Sequence, residues 1–403
     1  MPTGLTNEPY LNPTSNADGK VIRWRGGSVT TLNYGTDCSN LTQSVAAVAA
    51  AGGTAADKMA TLSGLASGTK YFYSLTVTKG DTNHTFTANG AGGKVRVVVA
   101  GDGGKDGASA TAKQGASVNG FIKWNGNSPI VDVVFMTGDN AYEAGTDAQW
   151  VTNVMPWYKP LFATGTMVPV LGNHDVNQAV GGSGGQDYQA ILTLPSNGLT
   201  GQSNTEKFYS WNYGNVHFVS LDSNNVVNTT SAMYTWANTD LQNNNQTWTV
   251  VGFHHAPYIN AGLHPDSEGG MKAMRDTFSP MFDKYGVDVV LTGHAHTYAR
   301  TGFIKYDATK ASQNSNACTV VQAGNGTATP YSKSLTKGTA GTVYASQGST
   351  SELRDDATLN SCTAYKNHTT IGMLYMEFNG NRLDANQIGN YSAVHDSFSI
   401  VKQ

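Results

Sequence analysis

Hydrophobic and polar residues alternate in short segments through the first 92 residues, and turn-forming residues separate these segments. The alternation is clearest at 21–24, 31–34 and 70–75. A period of two is typical of strands that bury one face and expose the other. This part of the chain is therefore predicted to be a small all-β domain. The glycine-rich stretch 89–93 predicts its boundary.

From residue 94 onward, continuous apolar runs replace the alternation, which indicates strands that are buried on both faces. Three stretches between these runs read as helices, at 108–124, 147–157 and 270–285. Alternating strands and helices predict an α/β domain. Residues 375–383 predict a late β-hairpin with an Asn-Gly turn.

Polar side chains that can bind metals follow five of the predicted strands. Because the carboxyl ends of such strands meet at one edge of a sheet, these side chains are expected to converge. Burying them together would be costly unless they bind cations. The strands are 95–100, 131–136, 168–171, 249–253 and 287–291, and the side chains at their ends are Asp102, Asp139, Asn173, His174, His254, His294 and His296.

Composition narrows the choice of partner and compartment. Of the 403 residues, 13% are charged, the formal net charge is −3, and no run of lysine or arginine occurs. No nucleic-acid-binding surface is therefore expected, and an anionic substrate must be attracted locally. No apolar run is long enough to cross a membrane, and the first residues lack the features of a signal peptide. The uncharged polar surface favours a secreted or periplasmic protein whose leader is absent from this sequence.

The chain has three cysteines, too few for a disulfide scaffold. Cys318 and Cys362 could close a loop late in the chain, which would leave Cys38 single. The sequence leaves open whether this bridge forms.

The polar motifs occur in a fixed order that resembles the five-block signature of the calcineurin-like metallophosphoesterases. Many members of that superfamily carry Asp-x-His in the first block, whereas Gly104 takes the place of the histidine here. The second block instead supplies Tyr142, which is the mark of the purple acid phosphatase branch. The five blocks are 101–104, 138–142, 172–175, 251–254 and 293–296.

The resemblance implies a centre of two unlike metals, Fe³⁺ and a divalent ion such as Zn²⁺, Mn²⁺ or Fe²⁺. A phenolate is a strong anionic ligand for a hard trivalent ion, and asparagine and neutral histidine suit a divalent one. By position, Asp139 would bridge the two metals. The ferric ligands would be Asp102, Tyr142 and His296, and the divalent ligands would be Asn173, His254 and His294.

His255 lies next to His254 and is the alternative ligand. The family's Val-x-x-His spacing, counted from Val251, selects His254. If the strand continues through both histidines, their side chains point to opposite faces, so only one can reach the metals.

Histidines are also the candidates for protonating the leaving group. His174 is the first candidate and His264, in a loop after the fourth block, is the second. Asp175 could orient an imidazole or cap the following turn, and Arg300 could contact phosphate or be structural.

The predicted architecture is α/β: a catalytic domain of two packed β-sheets flanked by helices at 93–403, preceded by a small all-β sandwich at 1–92. Residues 62–73 look like the turn and strand of fibronectin-type-III-like sandwiches. The oligomeric state stays open.

The predicted function is hydrolysis of phosphate monoesters at acidic pH. The substrates would be small phosphoesters, and a metal-bound hydroxide would attack the phosphorus. A phosphodiesterase acting on cyclic nucleotides, nucleotides or phospholipid head groups would use the same centre. A secreted binding protein with a structural metal site is the alternative outside enzymes.

Overall fold

The computed structural model describes residues 2–403 except 91–92, 106, 198–205, 226, 262–266 and 355–356. Two β-sheets pack face to face through most of the chain, and helices cover their outer faces. The predicted α/β class is confirmed.

The N-terminal strands pack around their own core, which includes Leu11, Trp24, Leu32 and Tyr73. The strands of this part are β1 (Leu5–Asn12), β2 (Lys20–Gly26), β3 (Thr31–Gly35), β4 (Gln43–Ala46), β5 (Val48–Ala49), β6 (Asp57–Leu62), β7 (Lys70–Ser74) and β8 (Thr85–Thr87). The alternating segments identified at 21–24, 31–34 and 70–75 correspond to β2, β3 and β7.

The next part of the chain holds three of the strands that end in candidate ligands. Its elements are β9 (Val95–Ala100), α1 (Ala108–Trp124), β10 (Val133–Met136), α2 (Asp147–Gln149), α3 (Met155–Phe162), β11 (Thr166–Pro169) and α4 (Gln186–Ile191).

The other candidate ligands follow strands of the second sheet. Its region contains β12 (Tyr209–Tyr213), β13 (Val216–Ser220), α5 (Ala232–Asn243), β14 (Trp248–His255), β15 (Asn260–Ala261), α6 (Gly269–Tyr285), β16 (Val289–Gly293), β17 (Tyr298–Thr301) and β18 (Phe303–Tyr306).

The last hundred residues return to β structure, as expected. The strands are β19 (Cys318–Gln322), β20 (Tyr331–Lys333), β21 (Val343–Gln347), β22 (Ala357–Thr358), β23 (Thr363–Asn367), β24 (Gly372–Asn379), β25 (Arg382–Gly389) and β26 (Val394–Lys402). The predicted hairpin is confirmed as β24 and β25, but its turn differs from the prediction: Asn379 pairs with Arg382, so the two turn residues are Gly380, at a φ of 56°, and Asn381.

The first sheet has the strand order β20-β26-β25-β24-β9-β10-β11-β1-β2-β6-β5 among the described residues. Strands β9, β10 and β11 run parallel, and β1 joins them through Leu11 opposite Thr166. The N-terminal strands therefore extend the same sheet as the later domain. The division at 92/93 and the fibronectin-like character stay predictions.

The second sheet has the order β12-β13-β14-β16-β21-β17-β23 within the described ranges. Its two faces bury different partners: Val250 packs between the sheets, and Val251 packs against α5 and α6. The alternation predicted for β14 is thus real, and it sends successive side chains to opposite sides.

The stretch predicted as a helix at 147–157 is helical throughout, but it is not one continuous α-helix. A π-helical turn, Trp150–Val154, separates α2 from α3, and α3 continues to Phe162. Pro156 has no N–H to donate to the preceding turn, which accounts for the break. The other two predicted helices are confirmed, one at Ala108–Trp124 and one at Gly269–Tyr285.

A disulfide joins Cys318 to Cys362, and their Cα atoms lie 6.2 Å apart. Cys38 is a free, half-buried thiol. Among the described residues, no helix is long and apolar enough to cross a membrane.

Candidate metal centre

The candidate ligands lie at or just beyond the carboxyl ends of β9, β10, β11, β14 and β16. Asp102, Asp139 and His294 have φ angles of 55°, 48° and 65°, a region that L-residues rarely adopt. Such backbone strain is common where side chains must be aimed at a functional site. It turns these three side chains toward one another across the two sheets.

One half of the site surrounds the hydroxyl of Tyr142. This oxygen lies 3.1 Å from Asp102 Oδ1 and 2.9 Å from Asp139 Oδ2. His296 Nε2 is 3.3 Å from the same hydroxyl and 3.2 Å from Asp102 Oδ1. All four side chains are buried.

The other half surrounds the amide oxygen of Asn173. His254 Nε2 lies 3.1 Å from it and His294 Nδ1 lies 3.0 Å from it, and the two ring nitrogens are 3.2 Å apart. Asp139 Oδ2 is 3.3 Å from His254 Nε2. One carboxylate oxygen of Asp139 thus faces both halves of the site.

The nitrogen and oxygen atoms that face one another in this cluster are suitable ligands for metal cations. His254 Nδ1 lies 2.9 Å from the carbonyl oxygen of Thr137, so this nitrogen carries the proton and donates it. In the neutral ring, Nε2 then presents a lone pair to the oxygens of Asn173 and Asp139. Lone pairs that converge without a donor between them are the arrangement a metal ion requires.

Without a cation, protons must balance the buried carboxylates. Burial lowers the pKa of His254, but the Asp139 carboxylate outweighs this effect and raises it to about 10. Burial likewise lowers the pKa of His296, and hydrogen bonds with Asp102 and Glu352 raise it to about 9. A metal ion would replace these protons as the source of positive charge.

Burial acts on the pKa of the phenol in the opposite direction. Burial, followed by the nearby carboxylates of Asp102 and Asp139, raises the pKa of Tyr142 well above its usual value. The hydroxyl therefore remains protonated until a cation takes the place of its proton.

Gly104 explains sterically why no histidine follows Asp102 at this point. A Cβ at Gly104 would lie 1.9 Å from the carbonyl oxygen of Asn140. The loop that carries Tyr142 is pressed against this glycine, and Tyr142 N donates to Gly104 O over 2.8 Å. The exchange of histidine for tyrosine is therefore a coupled feature of two adjacent loops.

Each ring of the three clustered histidines is also held at its other nitrogen. His254 donates to Thr137 O, His294 Nε2 lies 3.0 Å from Glu268, and His296 Nδ1 lies 3.1 Å from Glu352. Such outer partners fix the orientation of ligand imidazoles and increase their basicity. The sequence predicted neither glutamate, because both lie in loops outside the five motifs.

Lys105 is a further residue that the motifs did not identify, although it directly follows the first block. Its ammonium lies 4.7 Å from the centroid of the Tyr142 ring and 2.8 Å from Glu352 Oε2. The hydrogen bond with His296 and the adjacent Lys105 hold the pKa of Glu352 well below its usual range, although burial acts in the other direction. A cation thus lies over the tyrosine ring.

His174 lies at the rim of the site. Its ring is tilted by 44° against that of Tyr142, with the two ring centroids 4.3 Å apart, and its Nε2 is 4.0 Å from Asp139 Oδ2. The other nitrogen, Nδ1, donates to the carbonyl oxygen of Glu143 over 2.8 Å. About a quarter of the side chain is exposed. His264, the second proposed proton donor, lies outside the described residues.

Two of the open alternatives can now be compared with the contacts. Asp175 is buried and accepts hydrogen bonds from Gly172 N and from Asn140, so it connects the two loops that carry the candidate ligands Asp139 and Asn173. Burial, and then the Asp139 charge, raise the pKa of Asp175 to about 7. Arg300 is buried against Asp396 at 2.9 Å, which is the structural alternative.

Comparisons with known proteins agree with a site whose side chains could hold metal ions. The sequence model of the calcineurin-like phosphoesterases matches residues 95–298, about half of the chain. The chain therefore belongs to the calcineurin-like phosphoesterase family, which is a family of hydrolases. The resemblance to this superfamily is confirmed.

Among curated relatives, purple acid phosphatase 23 of Arabidopsis thaliana is 28% identical over 144 residues, which cover 35% of this chain and 31% of that protein. Purple acid phosphatase 22 of the same plant is 28% identical over 178 residues, 43% of this chain and 40% of the relative. The matches thus span less than half the length of these relatives.

Among solved structures, purple acid phosphatase PPD1 from yellow lupin (Lupinus luteus) seeds superposes with a TM-score of 0.76 at 20% identity. The alignment covers 98% of this chain and 74% of the lupin chain. At this identity the likeness concerns the fold, and it extends through the N-terminal strands.

Proposed function

We propose that the chain hydrolyses phosphate monoesters at a dinuclear metal centre, most rapidly at acidic pH. The observation that carries this proposal is the position of Asp139. One oxygen of its carboxylate lies 2.9 Å from the Tyr142 hydroxyl and 3.3 Å from His254 Nε2. A carboxylate placed between two ligand groups is suited to bridge two metals.

The two groups differ in chemistry, so the proposed metals differ as well. The phenol-containing group suits Fe³⁺, and the group of amide and imidazole ligands suits Zn²⁺, Mn²⁺ or Fe²⁺. When bound, such a pair supplies Lewis-acid activation of water and of the phosphoryl group. The ferric ligands would be Asp102, Tyr142 and His296, the divalent ligands Asn173, His254 and His294, and the shared ligand Asp139.

The ligand charges account for phosphate binding by a chain of net charge −3. Asp102, Asp139 and an ionised Tyr142 carry three negative charges. They leave a trivalent and divalent pair with a positive excess confined to the site. A small phosphoester is therefore attracted locally, without a basic surface.

His174 is the proposed proton donor to the leaving group. Because Nδ1 donates to Glu143 O, Nε2 carries a proton only when the ring is an imidazolium. Its partly exposed position at the rim is where a leaving alkoxide would depart. His264 stays a second candidate from the sequence.

We also propose that the protein is secreted or periplasmic. The Cys318–Cys362 disulfide supports this location, because structural disulfides persist in oxidising compartments.

The test compares p-nitrophenyl phosphate with bis-p-nitrophenyl phosphate, using protein whose metal content is measured. The proposal predicts a higher kcat/KM on the monoester, and Asp139→Asn should lose both metal and activity. A clear preference for the diester would make the chain a phosphodiesterase. Bound metal without turnover of either compound would favour the binding-protein alternative.

A further inference from the structure

Strand β14 ends in two histidines, and the second of them, His255, belongs to another group of side chains that could bind a metal. His255 follows Phe253 on the face of the sheet that packs against α6, whereas His254 faces the metal cluster. The Nδ1 atom of His255 lies 2.8 Å from Ser223 Oγ, which also accepts the backbone N–H of His255 over 3.2 Å. The ring is therefore anchored at one nitrogen, and Nε2 is the atom left to face a ligand.

The first turn of α6 brings a carboxylate to this ring. A Cβ at Gly270 would lie 2.8 Å from His255 Cδ2 and 3.2 Å from its Nε2, so only glycine lets the ring pack here. Glu268 stands at the N-cap of the same helix, but its carboxylate turns away from the helix and lies 3.0 Å from His294 Nε2.

His255, Glu268 and His294 offer ligand atoms that all lie within 4.8 Å of one another. His294 presents its two nitrogens to different groups: Nδ1 faces Asn173 and His254, and Nε2 faces Glu268. The second group is therefore adjacent to the proposed dinuclear centre and shares one ring with it.

We propose that His255, Glu268 and His294 form a third metal site, which binds Zn²⁺ when the free ion is in excess and thereby slows hydrolysis. Two imidazole nitrogens and one carboxylate are a ligand set that Zn²⁺ accepts, with a fourth position left for water. Glu268 is about one-third exposed, which gives the ion a path from solvent, and both histidines are buried.

Binding of Zn²⁺ at this third site releases one proton. The bond from Zn²⁺ to His294 Nε2 replaces the N–H at that atom, the proton leaves to solvent, and Glu268 changes from accepting that hydrogen bond to binding the ion. A second cation then lies across the imidazole ring from the proposed divalent site, where repulsion weakens the ion already bound. The inhibitory part rests on the proposed function, because His294 is one of its ligands.

The experiment is equilibrium dialysis of the full chain, as isolated with its metals, against rising free Zn²⁺, with metal per chain measured by elemental analysis. The wild type should take up one more equivalent than His255→Asn. His84→Asn is the matched control, because His84 forms a histidine–carboxylate pair with Asp81 far from the site, at 2.9 Å. It should retain the extra equivalent.

A second variant guards against misfolding of His255→Asn. Glu268→Gln changes a partly exposed side chain and should weaken uptake of the extra equivalent at least about tenfold, since even indirect partners of metal ligands contribute that much. The zinc concentration that halves each protein's own rate should rise at least about tenfold in His255→Asn.

The site is refuted if the wild type takes up no additional equivalent, or if His255→Asn retains it. If the equivalent depends on His255 but zinc never slows the wild type, the inhibitory role is refuted and the site stands. Failure of the isolated protein to hydrolyse any phosphoester would refute the proposed function and the inhibitory role. The difference in zinc uptake would still decide whether the third site exists.

Discussion

Tyr142 lies with its hydroxyl between two carboxylates and with the ammonium of Lys105 over its ring. If the phenolate binds Fe³⁺, transfer of its electrons to the metal is expected to give a visible charge-transfer band. A cation over the ring stabilises these electrons and raises the energy of that transition. Lys105 thus belongs to the electronic environment of the site, although it is not a ligand.

Lys105→Met should therefore move the band to longer wavelength. A cation–π energy of about 2 kcal/mol is about one twenty-fifth of a visible photon, which corresponds to a shift of about 20 nm. Absorption spectra of the iron-loaded proteins measure this, with Lys123→Met on the exposed part of α1 as the control. An unchanged band, or a shift to shorter wavelength, would remove Lys105 from this role.

His174→Ala tests the proposed proton donor through the choice of leaving group. An alkoxide needs a proton in order to leave, whereas p-nitrophenolate is stable without one. The variant should lose about 10²-fold or more in kcat on an alkyl phosphate, and much less on p-nitrophenyl phosphate. Equal losses on both substrates would mean that His174 only supports the loop.

At this scale, most polar residues of the candidate cluster could be predicted because they lie at or just beyond the ends of apolar strands, whereas Tyr142 was identified through the resemblance to a family. Glu268 and Glu352 could not, because their contacts to His294 and His296 join parts of the chain that no local pattern connects. Identifying them required the fold.

In strand β14, the position of a residue along the sequence determines the face of the sheet on which its side chain lies. Its period of two, visible in Val250 and Val251, sends His254 and His255 to opposite faces, as the sequence predicted. The helical stretch predicted at 147–157 forms, but a π-helical turn interrupts its α geometry for an equally local reason, because Pro156 interrupts the hydrogen-bond pattern. The periodicity of the side chains predicted a helix there, but the N–H that Pro156 lacks determines where the α-helical hydrogen bonds stop.

The loops after β10 and β11 approach so closely that only glycine fits at Gly172. A Cβ there would lie 2.0 Å from the backbone nitrogen of Asp139, an atom that cannot rotate away. Gly172→Ala should destabilise the fold by about 1–3 kcal/mol and reduce metal occupancy, because Asp139 must move. Thermal unfolding and metal analysis measure both effects. Gly93→Ala, where nothing lies within 4 Å, should change neither.

In Gly172→Ala, the contact of the added Cβ with Asp139 would therefore affect both the stability of the fold and the binding of metal. If Gly172→Ala lost stability but kept both metals, the position of the Asp139 carboxylate would not depend on this loop contact.

At the scale of the whole molecule, the N-terminal strands are joined to the rest of the chain more closely than the sequence indicated. Beyond the pairing of β1 with β11, Arg25 binds Asp147 at 2.6 Å, and the hydroxyl of Tyr73 donates to Ala163 O over 2.8 Å. The α/β layers and the N-terminal strands could be predicted from periodicity. Their joining could not, because the partners lie far apart in the sequence and pair through backbone groups common to all residues.

Lys20 is buried at this junction, where its ammonium lies 2.6 Å from Thr166 Oγ1 and 5.0 Å from the ring of Trp211. Burial lowers the pKa of Lys20 from 10.5 to about 7, with Asp132 acting in the opposite direction. Between these values the unfolded chain binds more protons than the folded one, so this lysine destabilises the fold at low pH and less as the pH rises.

Lys20→Met should thus stabilise the protein relative to wild type most at pH 6, and the difference should shrink by pH 10. One unit of pKa shift is worth about 1.4 kcal/mol, so even part of this effect is measurable by urea unfolding. Lys113→Met, on an exposed position of α1, should show no such trend. A difference that is constant with pH would mean that the surrounding rings keep Lys20 charged.

The central claim is that separated loops gather two unlike metals around Asp139, with Tyr142 bound to iron. Metal analysis combined with a visible spectrum of the wild type and of Tyr142→Phe tests it most directly. The account predicts two metals per chain, one of them iron, and a violet band that disappears in Tyr142→Phe. A fully active, metal-loaded wild type that is colourless, or a band that survives in Tyr142→Phe, would contradict it.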